Sequence, residues 1–209
     1  MPNKNVSSED GQASPGKPFQ TEETLRSWTV FEVTSIGSNE KSQHAVGRVQ
    51  GRNVVTSAIQ SFDQKTMSVR TLSGRVFHLK GAPGLLFETA WYWGHWAEMN
   101  EVKGTAADMR NQYLLRPSEA LAAHREKIRQ LIKYHHGQNP RVFGPALHGA
   151  DRHDDDLTIL LDSDRDIGNL RDELEDLICV PVHLLIPSDL RSYFSVEECE
   201  KALAEAQPM

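Results

Sequence analysis

The chain has 209 residues, 38% hydrophobic and 25% charged, enough for one sizeable core or two small ones. No run approaches the roughly 18 uninterrupted apolar residues of a bilayer-spanning helix, and the polar start MPNKNVSSEDGQASPGK lacks the apolar segment of a secretory signal. Two cysteines, Cys179 and Cys199, are too few for a disulfide-stapled domain or a Cys-rich zinc site, so a reducing cytoplasm is the expected setting. The net charge of −6 is lopsided: residues 1–116 hold 13 Lys/Arg against 11 Asp/Glu, a balance of +2, whereas 117–209 hold 10 against 18, or −8. The later, acidic part is expected to repel a nucleic-acid backbone.

Residues 1–21 are rich in Ser, Gly, Pro, Lys and Glu with little apolar surface to offset ordering, which predicts a disordered tail. From Trp28 the pattern turns to short β-type runs: Trp28–Ile36, His44–Gln50, Val54–Phe62, Met67–Leu72 and Val76–Leu79. Gly51-Arg52-Asn53, Asp63-Gln64-Lys65 and Ser73-Gly74 are the turn candidates, the last closing a tight hairpin. Strands every ten residues or so predict a small antiparallel sheet or open barrel over 22–104. Trp91, Tyr92, Trp93 and Trp96 follow, a set that either seals this sheet or stacks on a ligand, with packing the commoner use.

Residues 105–116 are expected to be a connector. Pro117-Ser118 then opens a helix whose face runs through Leu121, Arg125, Ile128, Leu131, Ile132 and His135 to a stop at Gly137. A strand at Arg141–Phe143, a loop, a strand at Leu157–Leu161, a helix over Ile167–Ile178 and a strand at Val180–Ile186 complete the order for 117–209. Ser195 with Glu198 three residues on predicts a last capped helix, with Phe194 stapled onto Cys199.

One constellation carries chemistry: Val142-Phe143-Gly144-Pro145-Ala146-Leu147-His148-Gly149, followed by the acidic run Asp154-Asp155-Asp156 at the mouth of an apolar strand. A glycine-rich turn leaving a strand exposes amide groups that hold phosphate oxygens. Carboxylates at i and i+2 on a strand face one side and can ligate hard divalent cations beside such a loop. Two metals there would stabilise the attacking and leaving oxygens of an in-line transfer. The alternative is a solvated acidic turn. No Gly-x-Ser-x-Gly elbow is present, and the nine histidines lack zinc-site spacing.

On these residues the chain resembles the nucleotidyltransferase superfamily, in particular the minimal nucleotidyltransferases that act as antitoxins beside HEPN-domain toxins. The resemblance runs from Arg116 to Met209 and includes Arg116–Arg125, Asn139–Gly144, Leu170–Leu177 and Val180-Pro181-Val182. It implies an α+β chain: a small antiparallel β-rich domain followed by a nucleotidyltransferase-like α/β domain with a short mixed sheet. It also implies a nucleotide-binding loop at Gly144, Pro145, His148 and Gly149, and a first metal carboxylate at Asp156. Three positions depart from the family pattern. Pro145 replaces a serine and removes a backbone donor, Thr158 replaces the second carboxylate, and His183 replaces the third. Two substitutes are conceivable: Asp154 paired with Asp156 as a catalytic set slipped by two residues, or His183 with Asp156 holding a softer metal such as zinc or manganese.

The resemblance therefore implies a bacterial protein whose transferase activity is impaired. It would act as an antitoxin-like module restraining a partner, a toxin such as a HEPN-type ribonuclease, with no cofactor of its own. The alternative is an active enzyme using magnesium and ATP to transfer AMP to a protein hydroxyl. Arg48, Arg52, Arg70, Arg75 and Lys80 would make a basic face on the first sheet if they fell on one side, though a solvated outer face explains them as well.

Overall fold

The computed structural model describes residues 22–35, 39–163, 167–187 and 195–209, and in it the chain forms two sheets in succession. The tail expected at the start of the chain, Ile36 and the Phe194–Cys199 contact lie outside the described residues.

The first sheet contains β1 (Glu22–Ser35), β2 (Lys41–Val49), β3 (Arg52–Val55), β4 (Ile59–Asp63), β5 (Ser68–Thr71), β6 (Val76–Lys80) and β7 (Val102–Asp108). Their order is β3-β2-β1-β6-β5-β4, with β7 also paired to β1. β1 is long enough to serve two neighbours along one edge. Glu22–Arg26 runs parallel to β6 and Phe31–Ser35 antiparallel to β7. A register shift against β2 lies between those stretches, with Ser27 at φ 47°. The other pairings of this sheet are antiparallel as expected, β1–β6 is the parallel exception, and the strands β2 to β5 provide the long crossover that a parallel pair requires.

The hairpin at Ser73-Gly74 forms as expected: Gly74 sits at φ 82° and its amide donates to Thr71 O at 2.9 Å. The single run Val54–Phe62 instead divides into β3 and β4. At the break the Thr56 hydroxyl accepts from the Ala45 amide at 3.0 Å. The stretch expected to be a connector holds β7 and a 3-10 turn at Arg110–Tyr113. Val102-Lys103-Gly104-Thr105-Ala106-Ala107-Asp108 has one large apolar residue, so its strand state comes from pairing with β1 rather than from local pattern.

Helix α1 (Phe87–Met99) lies on this sheet. Trp93 stacks on Phe31 at 4.6 Å and on Trp96 at 5.1 Å, and Trp96 lies 4.9 Å from His44. On the opposite face of the sheet, the side to which Val30 and Ala45 point, Leu25, Trp28, Val30, Phe77 and Leu79 are fully buried or nearly so, each stabilising by about 1.5–3 kcal/mol. The Trp28 indole N–H donates to Gly81 O at 3.2 Å, so no polar group is stranded there.

The second sheet has the order β10-β9-β8-β11, from β8 (Gln138–Phe143), β9 (Leu157–Asp162), β10 (Val182–Leu185) and β11 (Gln207–Pro208). β9 and β10 are parallel and β8 is antiparallel to β9, a mixed sheet as expected. Helices α2 (Pro117–Tyr134) and α3 (Leu170–Ile178) cover one face, packing Ile128, Ile132, Leu170 and Leu174 onto Val142, Leu157, Ile159 and Val182. A last helix, α4 (Val196–Glu205), precedes β11.

Candidate functional site

β8 delivers the chain into the loop, and two glycines shape it. Gly144 adopts φ 83°, ψ −160°, a conformation open to little but glycine. A 3-10 turn at Pro145–His148 follows, and Gly149 closes it at φ 65°. The Leu147 amide donates to Gly144 O at 3.0 Å and the Ala150 amide to Pro145 O at 3.1 Å, so both are spent inside the loop. Pro145 has no amide proton to give. Ala146 is buried in the core beside α2 and Leu147 packs against it. His148 turns to α4, where its Nε2 lies 3.0 Å from Glu205 Oε1.

The strand register decides which positions face one another. Thr158 of β9 lies opposite Phe143 of β8 and opposite His183 of β10, so the three share one face of the sheet. Asp156, two residues before Thr158, stands exposed at the start of β9 on that side by alternation. The other face is the helix-covered core. Further along the open face, Leu160 and Leu185 are buried with Ala206 against them, which leaves the end nearest the loop uncovered.

Thr158 and His183 are register partners and Asp156 precedes β9 by one residue, so this end of the sheet offers one carboxylate, a hydroxyl and an imidazole. Among the described residues no group of three His, Cys, Asp or Glu side chains is placed to hold a metal ion together. Asp154 contacts Arg152 at 3.4 Å, and Asp155 accepts from the Arg152 amide at 2.7 Å, so both belong to the turn before β9. A hard divalent cation takes six or more oxygen ligands, several of them charged, and this donor set does not fit magnesium.

Asp151 was not singled out from sequence, yet it is the one carboxylate next to the loop that is nearly fully buried. Its Oδ2 accepts from the Ser118 amide at 2.7 Å, satisfying one of the free donors at the start of α2. Burial raises its pKa, but the hydrogen bonds from Ser118 and the charge of Arg116 outweigh that and hold it below the usual carboxylate range. Arg116 also binds Glu119, whose Oε2 accepts from the Arg116 amide at 3.0 Å. The only sequence signal for Asp151 was its place just after the loop.

The aromatic segment divides in two. Trp93 and Trp96 pack as described, whereas Phe87, Trp91 and Met99 are 84%, 69% and 71% exposed, one helical turn or more apart along α1. Trp91 stacks on His95, and the helix carries Glu88 and Glu98 with no Lys or Arg. The five basic residues expected on the first sheet do not act as one face: Arg75 pairs with Glu23, and Arg48 donates to Gly51 O in its own turn at 2.6 Å.

No helix among the described residues is long and apolar enough to cross a membrane. No family model matches the chain, and no curated protein matches it significantly. A solved structure of a "putative minimal nucleotidyltransferase" is 30% identical over 44% of this chain and 95% of its own length, with a TM-score of 0.38.

Proposed function

We propose that the chain is a nucleotidyltransferase-like scaffold that has exchanged transfer chemistry for binding, an antitoxin-like module that restrains a partner protein. The observation supporting this is the row Phe143, Thr158, His183: two positions where the resemblance expects carboxylates are register partners on adjacent strands, and they carry a hydroxyl and an imidazole. In-line phosphoryl or nucleotidyl transfer depends on concentrated positive charge at the reacting oxygens, so loss of two carboxylates removes the means of holding it.

The contact surface is the outer face of α1. Exposed aromatic residues in a row are rare on a free surface and common at interfaces, and a helix bearing only acidic charges suits a partner with a basic rim. A HEPN-type ribonuclease toxin is the partner class suggested by the resemblance.

The test uses ATP labelled on its α-phosphate, an extract of the native host and either magnesium or manganese. The expected result is no label on any polypeptide above the level seen with Asp156→Ala. Label transferred by the unaltered protein and lost in Asp156→Ala would instead establish the enzyme, with Asp154 or His183 as substitute ligand.

A further inference from the structure

Two hollows abut in the cleft where the first sheet meets α2 and α3. The outer one, about 500 Å³, is bounded by Lys80, Lys127, Gln130 and Tyr134, and the inner one, about 240 Å³, reaches Lys65 and His124. Lys80, Lys127, Asp176 and Leu177 line both, so they form one continuous cleft. It shares no lining residue with the Gly144–Gly149 loop, Asp156, Thr158 or His183. Its size falls within the range of small-molecule sites, and junctions between packed units are where such sites concentrate.

The charges in this cleft do not cancel. Asp176 is held by both terminal nitrogens of Arg26, each at 2.5 Å, whereas Glu173 lies 3.2 Å from His135 Nε2 without a hydrogen bond to it; with Arg26 counted, four cationic side chains face two carboxylates. Lys65, Lys80 and Lys127 come from a turn, a strand and a helix, and none has a carboxylate within ion-pair distance among the described residues. Among the described residues Lys80 Nζ donates to the Asp176 backbone carbonyl, at 3.2 Å. The field is felt by its neighbour: burial first, and the charge of Lys127 second, lower the proton affinity of His124. Three lysines from separate elements line the same hollow without an ion-pair partner among the described residues, which leaves their ammonium groups available to an anion. Leu131, Leu177 and the exposed Tyr134 ring supply apolar surface beside them.

We propose that this cleft binds a small phosphorylated molecule, with its phosphates on Lys65, Lys80 and Lys127 and its apolar body against Leu131, Leu177 and Tyr134. Lysine acts here as a mobile point charge for phosphate, so no metal is required.

Calorimetric titration of the full chain with ADP and with inorganic tripolyphosphate, in chelator at about 0.15 M salt, tests this. Saturable ADP binding is expected. It should weaken about tenfold or more in Lys127→Gln, persist in Lys127→Arg and be unchanged in Asp156→Asn. Lys127 is exposed, so the Lys127→Gln protein should melt at the unaltered temperature in the absence of ligand. Failure of both probes to bind would overturn the site, as would binding that survives Lys127→Gln but is lost in Asp156→Asn. Tripolyphosphate binding as tightly as ADP would overturn the seat assigned to the apolar body.

Discussion

Thr158 offers a hard cation one neutral hydroxyl, and His183 across from it offers a nitrogen donor. Magnesium dehydrates reluctantly and favours charged oxygen, so neither side chain compensates for a carboxylate. The two residues are register partners on adjacent parallel strands, so a pair of carboxylates placed there would face the same side of the sheet. Replacing both residues, Thr158→Asp with His183→Asp, is therefore expected to create a cation site with Asp156. Without metal, three neighbouring carboxylates should lower the melting temperature through mutual repulsion; magnesium or manganese should raise it again. The unaltered protein should show no such response to either ion. A double variant whose melting temperature ignored both ions would show that the three positions do not converge as the strand register implies. The sequence carried these positions openly, because the loop glycines and Pro145 lie in one short motif and Thr158 and His183 in two apolar strands that periodicity predicts. Lys65, Lys80 and Lys127 were not legible as a group, since only tertiary packing brings a turn, a strand and a helix together.

Helix α2 depends on Asp151, seventeen residues beyond its own end, for one of its first hydrogen bonds. Asp151→Ala should cost about 0.5–2 kcal/mol, the usual range for a lost N-terminal cap, measured by chemical denaturation. Because the Asp151 pKa is depressed in the folded state, its stabilisation is present above the ordinary carboxylate value and is lost as pH falls through the lowered one. The stability difference between the unaltered protein and Asp151→Ala should accordingly shrink in acid; a difference constant from neutral pH to strong acid would contradict the capping role. The elements that periodicity predicts well, α2, α3, β9 and β10, are those whose apolar residues repeat on one face and fill the second core. β7 escaped because it is held by the edge of β1 and has almost no apolar face. The parallel β1–β6 pair is not legible in sequence, because nothing local to either strand encodes a partner some fifty residues away or its direction.

The two sheets are joined through the end of α3. Cys179 belongs to the core of the first sheet and is almost wholly buried, with its thiol donating to Leu79 O at 3.4 Å. Tyr113 and Leu114, which precede α2, are buried in the same cluster. Shared burial of this kind couples the halves, so heat should unfold the molecule in one transition rather than two. Burial pushes the Cys179 thiol up to about 11 from its ordinary 9.0. An acid whose pKa is raised on folding contributes stability that is full below the unfolded value, so stability should fall as pH rises from 9.0 towards about 11. In a Cys199→Ser background, modification of Cys179 by a thiol reagent at neutral pH should proceed only as fast as the sheets separate. Immediate reaction in the folded protein would contradict the junction.

The central claim, that the Asp156, Thr158 and His183 face no longer holds catalytic cations, is tested most directly by titrating the unaltered protein with manganese in the presence of a nonhydrolysable ATP analogue. Electron paramagnetic resonance counts the free ion in such a titration. No tight manganese sites beyond those of the nucleotide alone are expected, and the titration should be unchanged in Asp156→Ala. Two tightly held ions per chain, both lost in Asp156→Ala, would contradict it.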